Sequence, residues 1–308
     1  MPEAKSEAQR FDVTPFFQAC WQGKLWIVVS VVCAVAIGAF YAMSLPDIYR
    51  AEIVAAPTEE AQGGGQLSGQ LGGLATLAGV NVGQGQVDKA AQALEILQSR
   101  QFLYDFIKRH DAAVSLMAAK GWDPETNELI IDQDIYLKST NEWLREPKNN
   151  RSSQPTAWEM TSLIRDRILY VEQDQRTGII RLSVEFYSPD LAQQWVSAIL
   201  QDLNEIMRER DLKESEQSIR YLEEQMLTIS LISMQQVFSQ LIEKQMQTMM
   251  LANARAEYIF TTLDPALAPE TKASPHRPVI IILFGFLGIF IGVLAALIKY
   301  FLWNNKTT

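Results

Sequence analysis

Cysteine and histidine are nearly missing from this chain. Of 308 residues, two are cysteine (Cys20 and Cys33) and two are histidine (His110 and His276). No cysteine follows Cys33, so the long middle of the chain has no disulfide framework. So few thiols and imidazoles, so far apart in sequence, do not make a zinc site. A nucleophilic triad needs a base beside its Ser or Cys, and neither histidine lies in a motif that supplies one. Clustered basic charge is lacking too. The formal net charge is −9; the first 24 residues cancel, and Lys299 and Lys306 leave the segment between at about −11. Phosphate backbones are held by grouped Lys and Arg, so nucleic acid is excluded as a partner.

Charge itself is missing from two stretches. Residues 25–45 read LWIVVSVVCAVAIGAFYAMSL, and residues 279–298 read VIIILFGFLGIFIGVLAALI. Each suits a hydrocarbon core roughly 30 Å thick. Lys24, Trp26 and Tyr41 flank the first, and Lys299, Tyr300 and Trp303 follow the second, as interfacial anchors do. A cleaved signal peptide ending near Ala42-Met43-Ser44 is the alternative for the first, but the apolar run exceeds a usual signal core. Two spans set both ends on one side, and Lys24, Lys299 and Lys306 assign that side to the cytoplasm, against Arg50 and Arg277. The division expected is a cytoplasmic segment 1–24, spans 25–45 and 279–303, an outer domain 46–278 and a cytoplasmic tail 304–308. Small residues recur at helical spacing in both spans: Ala34, Gly38 and Ala42 in one, and Gly285, Gly288, Gly292 and Ala296 in the other. Such stripes let helices approach closely and are the expected packing contact between the spans.

Glycine and proline are missing from Leu191 to beyond Ile229. Ser188 is an N-cap and Pro189 fits a first helical position. A helix of roughly 40 residues reaches roughly 60 Å, too long for a compact domain of this size. Its first turns are dense in apolar residues up to Met207, which marks a core helix. Beyond, the segment is charged, with a thin seam of Leu212, Ile219, Leu222 and Met226. That seam is the expected arm or oligomer contact. A break is expected near 228–233. A returning helix follows with Phe238, Leu241, Ile242, Met246, Met249 and Met250, then a strand over 258–263.

The rest of the chain supplies a base. Residues 47–56 alternate as a strand ended by Pro57. Residues 62–86 hold 9 of the 16 glycines. No Lys-Ser or Lys-Thr pair follows them, so they do not form a phosphate loop; Leu71, Leu74, Leu77 and Val80 mark a possible contact stripe. Residues 87–119 read as helices. Residues 121–124 read as a turn and 125–155 as loop, with a polar insertion at 147–155. Thr156-Ala-Trp-Glu159 is a capping box opening a short helix. Residues 168–186 form a hairpin about Asp174 to Gly178. Glu223 and Glu224 fit a solvated face better than a glycosidase pair, and Trp122, Trp143 and Trp158 fit packing better than sugar stacking. The fold expected is α+β: a small mixed-sheet base (46–207 and 257–264), a protruding helical hairpin (208–256) and a proline-rich return (265–278), between two transmembrane helices.

Taken in order, these features resemble the Wzz-type polysaccharide co-polymerases, the chain-length determinants of lipopolysaccharide O-antigen. The matching stretches are Asp47-Ile-Tyr-Arg-Ala-Glu after the first span, Gly-Gly-Leu-Ala-Thr-Leu-Ala-Gly79, and Ala93-Leu-Glu-Ile-Leu-Gln-Ser-Arg100. Ser188-Pro-Asp-Leu-Ala-Gln-Gln-Trp195, Leu263-Asp-Pro-Ala266 and the glycine-bearing second span complete the set. The resemblance implies a two-pass inner-membrane protein with its bulk in the periplasm. It implies ring-like homo-oligomers and no catalytic, metal-binding or cofactor-binding residues. The partners implied are further copies of the chain, the O-antigen polymerase and membrane lipid, with the growing polysaccharide as a further candidate. The tail after Trp303 leaves no room for the kinase domain of a related subgroup. The arm here is short, so neither its height nor a subunit number is carried over. The alternative reading is an inner-membrane periplasmic adaptor or sensor in envelope polysaccharide export or secretion.

Overall fold

The structure is a computed structural model that describes residues 21, 23–58, 61, 89–146, 152–228 and 232–304. The glycine-rich stretch with its Leu71 to Val80 stripe, most of segment 1–24, and residues 147–151 and 229–231 lie outside the described residues. The chain divides into two compact units, one of Met1–Asp47 with Ser274–Thr308, the other Ile48–Ala273.

The first unit pairs the helices Lys24–Ser44 and Arg277–Asn304. Lys24–Ser44 and Arg277–Lys299 are long and apolar enough to cross a membrane. Their contacts run antiparallel, with Gly292 against Ile27, Gly288 against Ala34 and Phe284 against Gly38. Val32, Phe40, Phe286 and Phe290 are exposed on the outward faces. Helices apolar on every face suit lipid around them.

In the second unit the strands are β1 (Tyr49–Pro57), β2 (Ala119–Asp123), β3 (Glu128–Ile131), β4 (Tyr136–Leu137), β5 (Glu142–Trp143), β6 (Leu169–Gln173), β7 (Ile180–Phe186) and β8 (Phe260–Asp264). Four of them form the principal sheet, in the order β6-β7-β1-β8. The sheet is antiparallel at every pair, where a mixed one was expected. The reason is placement: β7 and β8 run the same way, but β1 lies between them, so no parallel neighbours arise.

Period-two alternation builds the core. Ala51, Ile53 and Ala55 of β1 lie opposite Val184, Leu182 and Ile180 of β7, and all six are buried. The helix Pro189–Met226 covers this face with Trp195, Val196, Ile199 and Leu203. Its start is fixed as the sequence dictates, with the Ser188 side chain accepting from Leu191 N and Pro189 in the first turn. The Trp195 ring sits 4.4 Å from that of Phe186. Helices Lys89–Leu97 and Arg100–Arg109 add Leu97, Phe102 and Phe106. The opposite face of the sheet is charged and paired. Arg50 bonds Glu185, and Arg181 meets Glu52 at 2.5 Å. The hydrogen bond that Arg50 donates to Glu185 raises its pKa above the usual value. Desolvation, then the Glu185 charge, raises that of Tyr170 beside it.

One local expectation is corrected. Gly121, Trp122 and Asp123 belong to strand β2, and the turn lies just beyond them. The Asp123 carboxylate accepts from Glu125 N and from the Thr126 hydroxyl, each at 3.0 Å, and Asn127 takes a left-handed φ of 54°. That side-chain turn reverses the chain into β3, so part of the expected loop is paired strand. The capping box at Thr156 and Glu159 forms in both directions. Its helix, Ala157–Leu163, runs into a π-helical turn, Ile164–Ile168, before β6.

Candidate functional site

The stripes in the two spans face each other. Gly38, Ala42, Gly288, Gly292 and Ala296 are buried, and Ala34 and Gly285 are half-buried. A Cβ added at Gly288 would lie 2.7 Å from Ala34 Cβ, and one at Gly292 would lie 2.7 Å from Ile27 Cα. Close approach also exposes a partner that hydropathy hides. Ser30 Oγ donates to Gly288 O at 2.8 Å. Ser30 lies four residues before Ala34 on the same helical face, which was the signal available in the sequence. At the other end of the pair, Arg277 Nε donates to Ala42 O at 3.2 Å and its guanidinium bonds Asp47 at 2.9 Å. Arg277 thereby satisfies a carbonyl in the last turn of the first span. Lys299 Nζ lies 5.3 Å from the Trp26 ring centre.

In the second unit the long helix meets a return helix, Ile232–Ala254. Along the described residues of the return helix the covered positions are Gln235, Phe238, Ile242, Gln245, Met249 and Ala252, with Thr248 beside them. Their alternation of three and four residues is a heptad seam. On the long helix beyond Arg208 the covered positions are Asp211, Leu212, Ser215, Ser218, Ile219, Leu222, Gln225 and Met226. The four expected contacts, Leu212, Ile219, Leu222 and Met226, are among them, each half-buried. Met234, Val237, Leu241, Met246 and Met250 of the return helix stay exposed.

Besides Ser215, three polar side chains of the long helix are buried, and none of the three stands out in the sequence. Asp202 accepts from Arg109 at 2.7 Å and lies 3.0 Å from His110 Nε2. Its hydrogen bond raises the Arg109 pKa above the usual value. Asn204 accepts from Ile259 N at 2.8 Å and Phe260 N at 2.9 Å, and donates to Phe260 O at 2.9 Å. Asp211 accepts from the Tyr258 hydroxyl at 2.6 Å and is bonded by Lys89. The signal was polar residues set among the apolar positions of a helix otherwise suited to a core. His110 is thus a partner of Asp202, while Glu223 and Glu224 are exposed. Trp143 packs on Tyr136 with ring centres 4.9 Å apart and planes tilted by 58°, and Trp158 is exposed. Among the described residues no three His, Cys, Asp or Glu side chains group to hold a metal ion.

Residues 9–110 match the model of the Wzz family, described as chain length determinant protein. That stretch takes in the first span, β1 and the first core helices, and over it the resemblance read from the sequence is shown. The chain is also similar to a solved "full-length bacterial polysaccharide co-polymerase", at 13% identity and a TM-score of 0.41, over 96% of this chain and 100% of that one. A fragment of WzzB, a polysaccharide co-polymerase from Salmonella Typhimurium, aligns at 15% identity and a TM-score of 0.27, over 74% of this chain and 100% of the fragment. No curated protein matches the sequence. Two candidate membrane helices and the family match together support a two-pass inner-membrane protein.

Proposed function

We propose, from a chain whose residues 9–110 match the chain length determinant family, that this protein sets the length of a lipopolysaccharide O-antigen without catalysing its synthesis. It acts as a homo-oligomeric scaffold beside the O-antigen polymerase, with the unit Ile48–Ala273 in the periplasm and both termini in the cytoplasm. The family match carries this reading. The structure adds support from each unit separately. The ends of the second unit meet, with Ala273 N donating to Ile48 O at 2.8 Å, as an insertion between two spans requires. The two spans lie antiparallel, as a two-pass chain requires.

The seam of Leu212, Ile219, Leu222 and Met226 holds the helical hairpin within one chain. The exposed apolar residues of the return helix face the next copy. Exposed Met and Leu side chains on an otherwise neutral helix are costly in water and favour burial against a partner. Replacing Val237→Glu and Leu241→Glu together puts two charges on that face without touching the seam. The double variant is expected to sediment as smaller species in detergent, and its O-antigen ladder to lose its modal band. Hydrogen exchange in β1 and β7 should stay at the wild-type rate. Full-size oligomers with an unchanged ladder would remove this face from the assembly.

A further inference from the structure

The long helix passes from core to hairpin at Asp211. One turn before it, Met207 is fully buried among apolar side chains; one turn after it, Ser215 is the last buried residue of the helix. Among the described residues of the return helix, only Ala252 is buried. Beyond this crossing the described residues of the two helices are covered only along a narrow stripe, most of it half-buried.

At the crossing a single carboxylate gathers several segments. Tyr258, where the return chain re-enters the core, donates its hydroxyl to Asp211 Oδ2 at 2.6 Å. Lys89, the first residue of helix Lys89–Leu97, bonds the same oxygen and lies 5.9 Å from the Tyr258 ring centre. The Tyr258 carbonyl accepts from Thr58 Oγ1 at 2.9 Å, which ties in the end of β1. Asp211 is 8% exposed and Tyr258 2%. Charged and polar groups so far out of water do not add stability over an apolar junction of the same shape. What they add is geometry, because hydrogen bonds are directional where apolar contacts are not.

We propose that Asp211, with Lys89 and Tyr258, is a positioning lock that fixes the seat of the helical hairpin on the sheet and thereby sets which polysaccharide length is selected. The second half rests on the chain-length function proposed above. Asp211→Asn keeps the side-chain shape and an accepting oxygen and removes the charge that holds Lys89. Asp211→Asn with Lys89→Gln offers an amide pair in place of the ion pair.

The test uses the full-length protein, in detergent for hydrogen exchange and in a deletion strain for the O-antigen ladder. With Asp211→Asn, amides of residues 208–218 and 252–260 should exchange at least tenfold faster, while those of Ile53 and Leu182 keep their rate. The ladder should keep a modal band but at a different repeat number. The double variant should move both readouts back toward wild type. Wild-type exchange and an unmoved band with Asp211→Asn overturn the lock. Uniformly faster exchange throughout the unit, with the band lost, reduces Asp211 to a stability residue and overturns the length-setting role. A wild-type control that forms no modal band overturns the chain-length reading itself, while local exchange still decides the lock.

Discussion

Gly288→Ile and Gly292→Ile each drive the two membrane helices apart. A side chain at Gly288 meets Ala34 Cβ at 2.7 Å, Val31 Cα at 2.9 Å and Ser30 O at 3.1 Å. One at Gly292 meets Ile27 Cα at 2.7 Å and Ser30 Cβ at 3.2 Å. These are backbone and Cβ atoms, so no rotamer change relieves the clash and the helix axes must separate. Separation also removes the hydrogen bond from Ser30 to Gly288 O. Overpacking of this kind costs about 1–3 kcal/mol, and in lipid no water stands ready to satisfy the freed hydroxyl. Gly285 is the internal control, since its nearest neighbour is Val35 Cγ2 at 3.7 Å, an ordinary contact. Tyr41 and Phe284 have ring centres 6.2 Å apart and report the pairing. In a background with Cys20→Ser and Cys33→Ser, a disulfide between Tyr41→Cys and Phe284→Cys should form readily. Its yield should drop about tenfold with Gly288→Ile or Gly292→Ile, since about 1.4 kcal/mol is a factor of ten, and hold with Gly285→Ala. Equal yields in all variants would show that the spans do not pack through this stripe.

Asn204→Leu is the second large effect. Asn204 is 3% exposed and its amide makes three bonds to backbone, two accepted from Ile259 and Phe260 N–H and one donated to the Phe260 carbonyl. Phe260 stands opposite Pro57 in the sheet. β8 is an edge strand of the sheet, and the Asn204 amide satisfies the N–H and carbonyl of Phe260 there. Leucine fills the volume and satisfies none of the three groups. Each buried unsatisfied group costs about 1–3 kcal/mol, so a loss of about 3 kcal/mol or more is expected. For a unit of this size that lowers Tm by about 6–12 °C. Near-ultraviolet circular dichroism on heating measures it. A Tm within a degree or two of wild type would mean that β8 is held by its pairing with β1 alone.

The fold was readable wherever the signal was local. The alternation of β1, the β6–β7 hairpin, the Ser188 cap and the Thr156 capping box each depend on residues within a few positions of one another. The spans and their small-residue stripes were readable because lipid selects composition directly. The buried anchors were not, because their partners are remote: Asn204 reaches residues more than fifty positions away, and Asp211 reaches Lys89 across 122. Along the hairpin, Leu212, Ile219, Leu222 and Met226 are all half-buried, and Ser218 and Gln225, which hydropathy does not single out, are half-buried beside them. The β2–β3 turn was displaced by a carboxylate, Asp123, whose hydrogen bonds to Glu125 and Thr126 mimic a backbone turn.

The function proposed for the chain is to govern polysaccharide length through shape and assembly. The most direct measurement is the distribution of O-antigen repeat numbers on lipopolysaccharide from a strain lacking this gene, read by gel beside the same strain carrying the wild-type copy. A ladder without a modal band, declining smoothly with length, is expected in the deletion, and a single modal band restored by the wild-type copy. A modal band that persists unchanged in the deletion strain, in cells that make O-antigen, would contradict it.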